Sequence, residues 1–184
     1  MINKIKRYRL GVSRSFPKTH PRAGEENGFV VKIQNGLGKT CKKCREIDAF
    51  DGDCCGYIPG QLGSKIHTIR ANYPFWEKRM KEVQAGRAVI ELFYWSGSPY
   101  NSKRDGSKQV VFATLDKDSG CGVQKVVIRT FQVGGVMILN RNLSVNSHVV
   151  AKNDGLSLED FKAWFKGYDL SKPMAIILFT GFRY

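Results

Sequence analysis

An ammonium, a hydroxyl and a guanidinium recur within eight residues, Gly63-Ser64-Lys65-Ile66-His67-Thr68-Ile69-Arg70. The β-branched run from Ile66 to Ile69 favours a short strand over Lys65–Arg70. Period-2 alternation puts Thr68 and Arg70 on one face and Ile69 on the other. Lys65 has the wrong parity for that face. It joins Thr68 only from a turn or bulge ahead of the strand, which Gly63 permits. Gathered at one spot, the three groups make an oxyanion or phosphate site. A lysine of depressed pKa beside a hydroxyl can also activate a nucleophile. The same spacing equally suits a strand whose polar residues simply face water.

Other groups are weaker as chemistry. Cys41-Lys42-Lys43-Cys44 is half of a zinc site, but the second half is the adjacent pair Cys54-Cys55, which chelates one ion awkwardly. Free thiols in a surface loop are the alternative to structural zinc, and no other cofactor is expected. Phe93 and Trp95 share a strand face, with Tyr94 opposite and Tyr100 in the following loop. One face is core; the other, with Tyr100, can stack a base. Asn101–Lys108 is a basic, solvated loop in which Lys103 and Arg104 can hold phosphates. His20, His67 and His148 are scattered, and His67 is off-parity with Thr68, which favours packing over catalysis. The chain lacks a P-loop, HExxH and GxSxG, which disfavours triphosphatase, zincin and serine-hydrolase chemistry.

The elements that must position these groups follow from periodicity. Strands are expected at Arg9–Arg14, Lys65–Arg70, Ala88–Trp95, Gln109–Leu115, Val123–Phe131, Val136–Leu139, Ser147–Val150 and Met174–Phe182. Helices are expected at Glu25–Gln34, Tyr73–Ala85 and Ser157–Lys166. Trp76, Met80 and Val83 give the second an apolar stripe, with Pro74 in its first turn and Gly86 just past its end. Ser157 and Asp160 form a capping box for the third, with Leu156 and Phe161 as a hydrophobic staple. Asp154, three residues before that cap, is left for another role or for a turn with Asn153 and Gly155. Residues 35–62 read as a long excursion. Several strands with few helices, without βα alternation, indicate an α+β fold around a curled sheet or small barrel.

The 184 residues carry 30 Lys+Arg against 16 Asp+Glu, a net charge of +14. Residues 1–45 hold twelve basic and two acidic side chains, a surplus of ten. That points to a polyanionic partner for the N-terminal segment, or to a solvated, solubilising tail. No apolar run approaches the roughly 20 residues of a membrane helix. The basic N-terminus lacks a following apolar stretch, so a cytoplasmic, reducing setting without membrane attachment is expected.

Gly-x-Lys-x-x-Thr-x-Arg at Gly63, Lys65, Thr68 and Arg70 resembles the signature of the ASCH domain family, a branch of the PUA-like superfamily. The resemblance covers residues 60–182, including a helix after the motif, later strands, a late helix following Asp154-Gly155-Leu156-Ser157, and an apolar last strand. It implies a small PUA-like β-barrel flanked by helices over residues 60–184. A loop-rich basic extension over residues 1–59 is then packed on or tethered to it. It also implies RNA or nucleotide-like ligands; the residues expected to bind them are Gly63 and Arg70 of the motif together with Trp95, Tyr100, Lys103 and Arg104, read from the aromatic strand and the basic loop. Some small relatives are amidohydrolases that remove the acetyl group from N4-acetylcytidine. In these the motif's Lys and Thr work with a Glu before the late helix. The matching positions are Lys65 as general base, Thr68 as nucleophile or water-orienting group, and Asp154, one methylene shorter than Glu, as the acid. A protein-interaction module is the third expectation; oligomeric state is left open.

Overall fold

A computed structural model describes residues 5–38, 63–100, 102–129 and 135–184. Cys41, Cys44, Cys54 and Cys55 lie outside the described residues. The remaining cysteine, Cys121, is buried and free.

Two sheets share one hydrophobic core. In the first, β1 (Lys6–Gly11) runs parallel to β3 (Ala88–Trp95), which pairs antiparallel with β4 (Gln109–Leu115). Leu10 points inward from β1 while Arg7 and Arg9 point outward, as strand alternation requires. The second sheet is antiparallel, in the order β2 (His67–Arg70), β8 (Met174–Leu178), β5 (Gly122–Ile128), β6 (Val136–Ile138), β7 (Leu143–Val145). All five β8 residues are buried, which places this strand in the middle of the core. Among the described residues the ladders form a three-stranded and a five-stranded sheet, and neither closes into a barrel. The fold is mixed α+β.

Among the described residues five helices complete it: α1 (Phe29–Gly36), α2 (Tyr73–Gln84), α3 (Ser102–Asp105), α4 (Ser147–Asn153) and α5 (Leu158–Phe165). α2 starts where the Asn72 side chain accepts from the Phe75 N–H at 3.3 Å, with Pro74 in the first turn. Its buried Trp76, Met80 and Val83 pack across β3, β5 and β8, tying the two sheets together. Each such side chain removed from water contributes about 1.5–3 kcal/mol. No helix among the described residues is long and apolar enough to cross a membrane.

Residues 5–38, set apart in the sequence as part of an extension, supply β1 and α1, whose Leu10, Phe29 and Ile33 belong to the core. Many of their cations are committed inside the fold. Lys6 pairs with Glu82, Arg7 and Arg9 with the buried Glu91, Arg14 with Glu26, and Arg22 with Glu25 and Asp160. Lys32 donates to the Gly155 carbonyl at 2.8 Å.

β1 covers Lys6–Gly11 rather than Arg9–Arg14, α3 forms a short helix within the expected loop, and three elements around the site also depart from expectation. α1 begins at Phe29 rather than Glu25, because Ser15 and Glu26 form a β-bridge and Gly28 turns the chain at φ 67°. Residues 147–150, expected as a strand, open α4; the Asn146 side chain accepts from the His148 N–H at 2.8 Å and starts a helix instead. β2 begins at His67 rather than Lys65. The Lys65 N–H is bonded to the Lys32 carbonyl and the Ile66 N–H to the Asn153 carbonyl, both at 2.9 Å, so neither joins the ladder.

Candidate functional site

Lys65 sits ahead of β2, its N–H held by the Lys32 carbonyl of α1 and the following N–H, of Ile66, by the Asn153 carbonyl at the end of α4. That placement removes the parity problem. Lys65, Thr68, Arg70 and Asp154 all line one recess, together with Phe29 and Trp164. The recess lies in the seam between the sheets, where Arg70 of β2 donates to the Gly11 carbonyl at the end of β1 at 2.7 Å. Its volume is about 30 Å³, enough for one or two waters.

Lys65 is 2% exposed and Asp154 4%. The ammonium donates to the Asp154 main-chain carbonyl at 2.7 Å and to the Asp154 carboxylate, and it lies 4.2 Å from the centre of the Phe29 ring. Two of its three donors are thereby used. Burial lowers the Lys65 pKa from 10.5 to about 8, against the opposing pull of the Asp154 charge. Burial alone would raise the Asp154 carboxyl, but Lys65 and His67 together bring it below its ordinary value. At neutral pH the pair is therefore ionised, with roughly a tenth of Lys65 neutral. The Thr68 hydroxyl makes no side-chain hydrogen bond among the described residues and stays available to a water or ligand.

Asp154 is the C-cap of α4, and its N–H bonds the Val150 carbonyl at 2.9 Å. Gly155 follows at φ 73°, so the chain turns sharply toward Ser157, whose hydroxyl accepts from the Asp160 N–H at 3.0 Å. That is half of the expected capping box. The Asp160 carboxylate goes instead to Arg22 at 3.0 Å. Two glycines fit closely around Lys65. A Cβ on Gly36 would lie 2.6 Å from the Lys65 carbonyl oxygen, and one on Gly155 would lie 3.1 Å from the Lys65 Cβ.

Sequence reasoning missed a second layer. His67 is fully buried; its Nε2 is 2.7 Å from the Tyr184 hydroxyl and its Nδ1 3.6 Å from the Asp154 carboxylate. Asn153 donates to the same Tyr184 hydroxyl at 2.9 Å. Burial lowers the His67 pKa and keeps the imidazole neutral, although the nearby carboxylate opposes this. The off-parity position that argued against His67 is what turns it inward, toward Asp154. Tyr184 carried no local signal, because its contacts are set by tertiary packing.

The remaining expected residues fall elsewhere. Gly63 is exposed in open space ahead of the site. Trp95, Tyr100, Lys103 and Arg104 line neither this recess nor its larger neighbour. That neighbour is a cleft of about 340 Å³ bordered by Arg14, Glu26, Gly28, Phe29, Tyr94 and Ser96. Phe29 is common to both recesses. Arg14 stands 5.5 Å over the Tyr94 ring. Among the described residues no cluster of His, Cys, Asp or Glu suits a metal ion. Cys121 is a packing residue; burial pushes its thiol up to about 11.

No family model, curated protein or solved structure matches the chain. The functional reading therefore rests on the motif residues and their geometry.

Proposed function

We propose that this chain is a nucleotide-recognising domain of the PUA-like, ASCH type, binding RNA or a nucleotide-like ligand in the seam between its sheets. One observation carries the reading: Lys65, Thr68, Arg70 and Asp154 line a single recess that shares Phe29 with a cleft of about 340 Å³. A cleft of that size suits a nucleoside. Tyr94 offers it an aromatic face, Arg14 a cation and Glu26 an acceptor for an exocyclic amine. The inner recess supplies donors for a carbonyl or phosphate oxygen. The link between β1 and β2 through Arg70 supports a barrel-like arrangement, joined at this seam by a side chain rather than by a ladder.

The second reading is an amidohydrolase acting on an acylated nucleoside such as N4-acetylcytidine. The water-sized space beside Thr68 and the Lys65–Asp154 pair favours it. Lys65 in its neutral form takes a proton from a water oriented by Thr68. The water attacks the acyl carbon, the C–N bond breaks, and Lys65 returns the proton to the leaving amine. Asp154 positions Lys65 and sets its pKa.

Titration with RNA and with nucleosides across salt concentrations tests the binding reading. Affinity for RNA that falls steeply with salt supports it. Turnover of N4-acetylcytidine, abolished in Lys65→Ala, supports the hydrolase; turnover retained in Lys65→Ala overturns the assigned roles. If neither binding nor turnover is found, both readings fail and the interaction module remains.

A further inference from the structure

The hairpin between β3 and β4 presents chemistry that the seam does not use. Tyr100 is 87% exposed and holds φ 63°, a left-handed conformation that is costly for an aromatic residue. Its ring lies 5.2 Å from that of Trp95, which in turn lies 6.3 Å from the buried Phe93. An exposed aromatic held in a strained conformation needs a rigid frame, and the hairpin has one. Ser96 and Lys108 exchange two bonds, Ser96 N–H to the Lys108 carbonyl at 2.9 Å and Lys108 N–H to the Ser96 hydroxyl at 3.0 Å. Asp105 turns its carboxylate onto the loop, accepting from the Ser98 and Ser107 N–H groups at 3.1 and 2.9 Å.

Asp105 uses its carboxylate on backbone N–H groups and forms no ion pair with the hairpin's cations among the described residues. Lys103, Arg104 and Lys108 are exposed, and none has an ion-pair partner among the described residues. Two adjoining aromatic rings, tilted 54° to each other, on a hairpin that carries three cations without an ion-pair partner among the described residues suit unstacked bases and their phosphates. They suit a dry protein interface poorly, since the cores of such interfaces are depleted in lysine.

We propose that Trp95 and Tyr100 form a stacking platform for a base of single-stranded RNA, with Lys103, Arg104 and Lys108 holding the adjoining phosphates. The proposal rests on the nucleotide-binding reading of the cleft and extends it from one nucleotide to a strand. Ser96 borders the cleft and also begins this hairpin, so a strand leaving the cleft meets the platform.

The test is fluorescence anisotropy with a labelled 12-nucleotide single-stranded RNA, alongside calorimetric titration with cytidine as the mononucleoside. Tyr100→Gly removes the ring and relieves the left-handed backbone, so the fold is retained and the melting temperature does not fall. RNA affinity is expected to drop roughly tenfold to a hundredfold, with cytidine binding unchanged. Lys103→Ala with Arg104→Ala should flatten the log–log salt dependence by about 1.4, at 0.7 per phosphate contact on a single strand. RNA affinity within twofold of the parent in Tyr100→Gly overturns the platform, as does equal affinity for duplex RNA. Cytidine binding without RNA binding overturns the platform and leaves the cleft reading standing. Absence of both in the parent protein overturns both.

Discussion

Lys65 Nζ meets Asp154 twice, at its main-chain carbonyl 2.7 Å away and at its carboxylate. The carbonyl contact does not depend on the side chain, so the lysine keeps one partner even when the carboxylate is removed. What it then lacks is a counter-charge in a buried place, and such an ammonium costs heavily. Asp154→Ala should destabilise the protein by about 3–5 kcal/mol in urea unfolding at pH 7. Lys65→Met combined with Asp154→Leu should recover most of that. Equal losses in the single and double variants would show that charge pairing is not what this site contributes.

The lysine also makes stability rise in mild alkali. Its pKa is 10.5 in the unfolded chain and about 8 in the folded one. Between those values the unfolded chain binds a proton that the native state does not, so unfolding becomes harder as pH rises. The gain is on the order of 3 kcal/mol across the window. Cys121 acts oppositely at the upper end, because its folded pKa is raised to about 11. Lys65→Met retains that effect. The stability difference between parent and Lys65→Met should therefore grow in the parent's favour from pH 7.5 to 10, measured by denaturant titration at each pH. A flat difference would contradict a depressed lysine.

Tyr184→Phe isolates one oxygen. The hydroxyl joins His67 at 2.7 Å to Asn153 at 2.9 Å, while the ring packs edge-on against Phe182 with centroids 4.9 Å apart. Removing only the oxygen leaves the buried His67 and the half-buried Asn153 without this partner, at a cost of about 1–3 kcal/mol. The variant should lose that much in thermal or denaturant unfolding. A loss below about 0.5 kcal/mol would mean that the cluster re-forms around water.

Gly36→Ala runs against helix propensity. In an ordinary helix the change gains up to about 1 kcal/mol. Here the new methyl would lie 2.6 Å from the Lys65 carbonyl oxygen, which is backbone. The Lys65 N–H is bonded to Lys32 of the same helix at 2.9 Å, so the segment cannot retreat without breaking that bond. A net loss of roughly 1–3 kcal/mol is expected, of the size seen for overpacking. Neutral or increased stability would show that the contact yields.

Elements with strong periodicity were legible. Ala88–Trp95 and Gln109–Leu115 occur as expected, and α2 ends one residue early. In β4 and α2 burial follows the period of the element, so local pattern and tertiary demand agree, while β3 is buried on both faces from Ile90 to Phe93. Thr68 and Arg70 were placed on one face by the same rule, and both line the recess. What escaped was decided by partners distant in sequence. Lys65 leaves the ladder because α1 takes its N–H and α4 takes that of Ile66, and Tyr184 enters the site through packing. Ser147–Val150 offered strand-forming valines, yet a single Asn146 cap decided for helix. The β1–β3 pairing was invisible too, because parallel strands need no turn signal between them.

That pairing also sets an order of events at the ribosome. Lys6 faces Ala88, 82 residues later in the chain. At 5–20 residues per second, β1 waits about 4–16 s for its partner to emerge. An apolar strand exposed for so long would invite pairing with a neighbouring chain. β1 instead carries Lys6, Arg7 and Arg9, whose mutual repulsion discourages such contacts. When β3 appears, Glu91 arrives opposite Arg9 and collects both arginines. The same charges that keep the nascent strand solitary become its lock once the right neighbour is made.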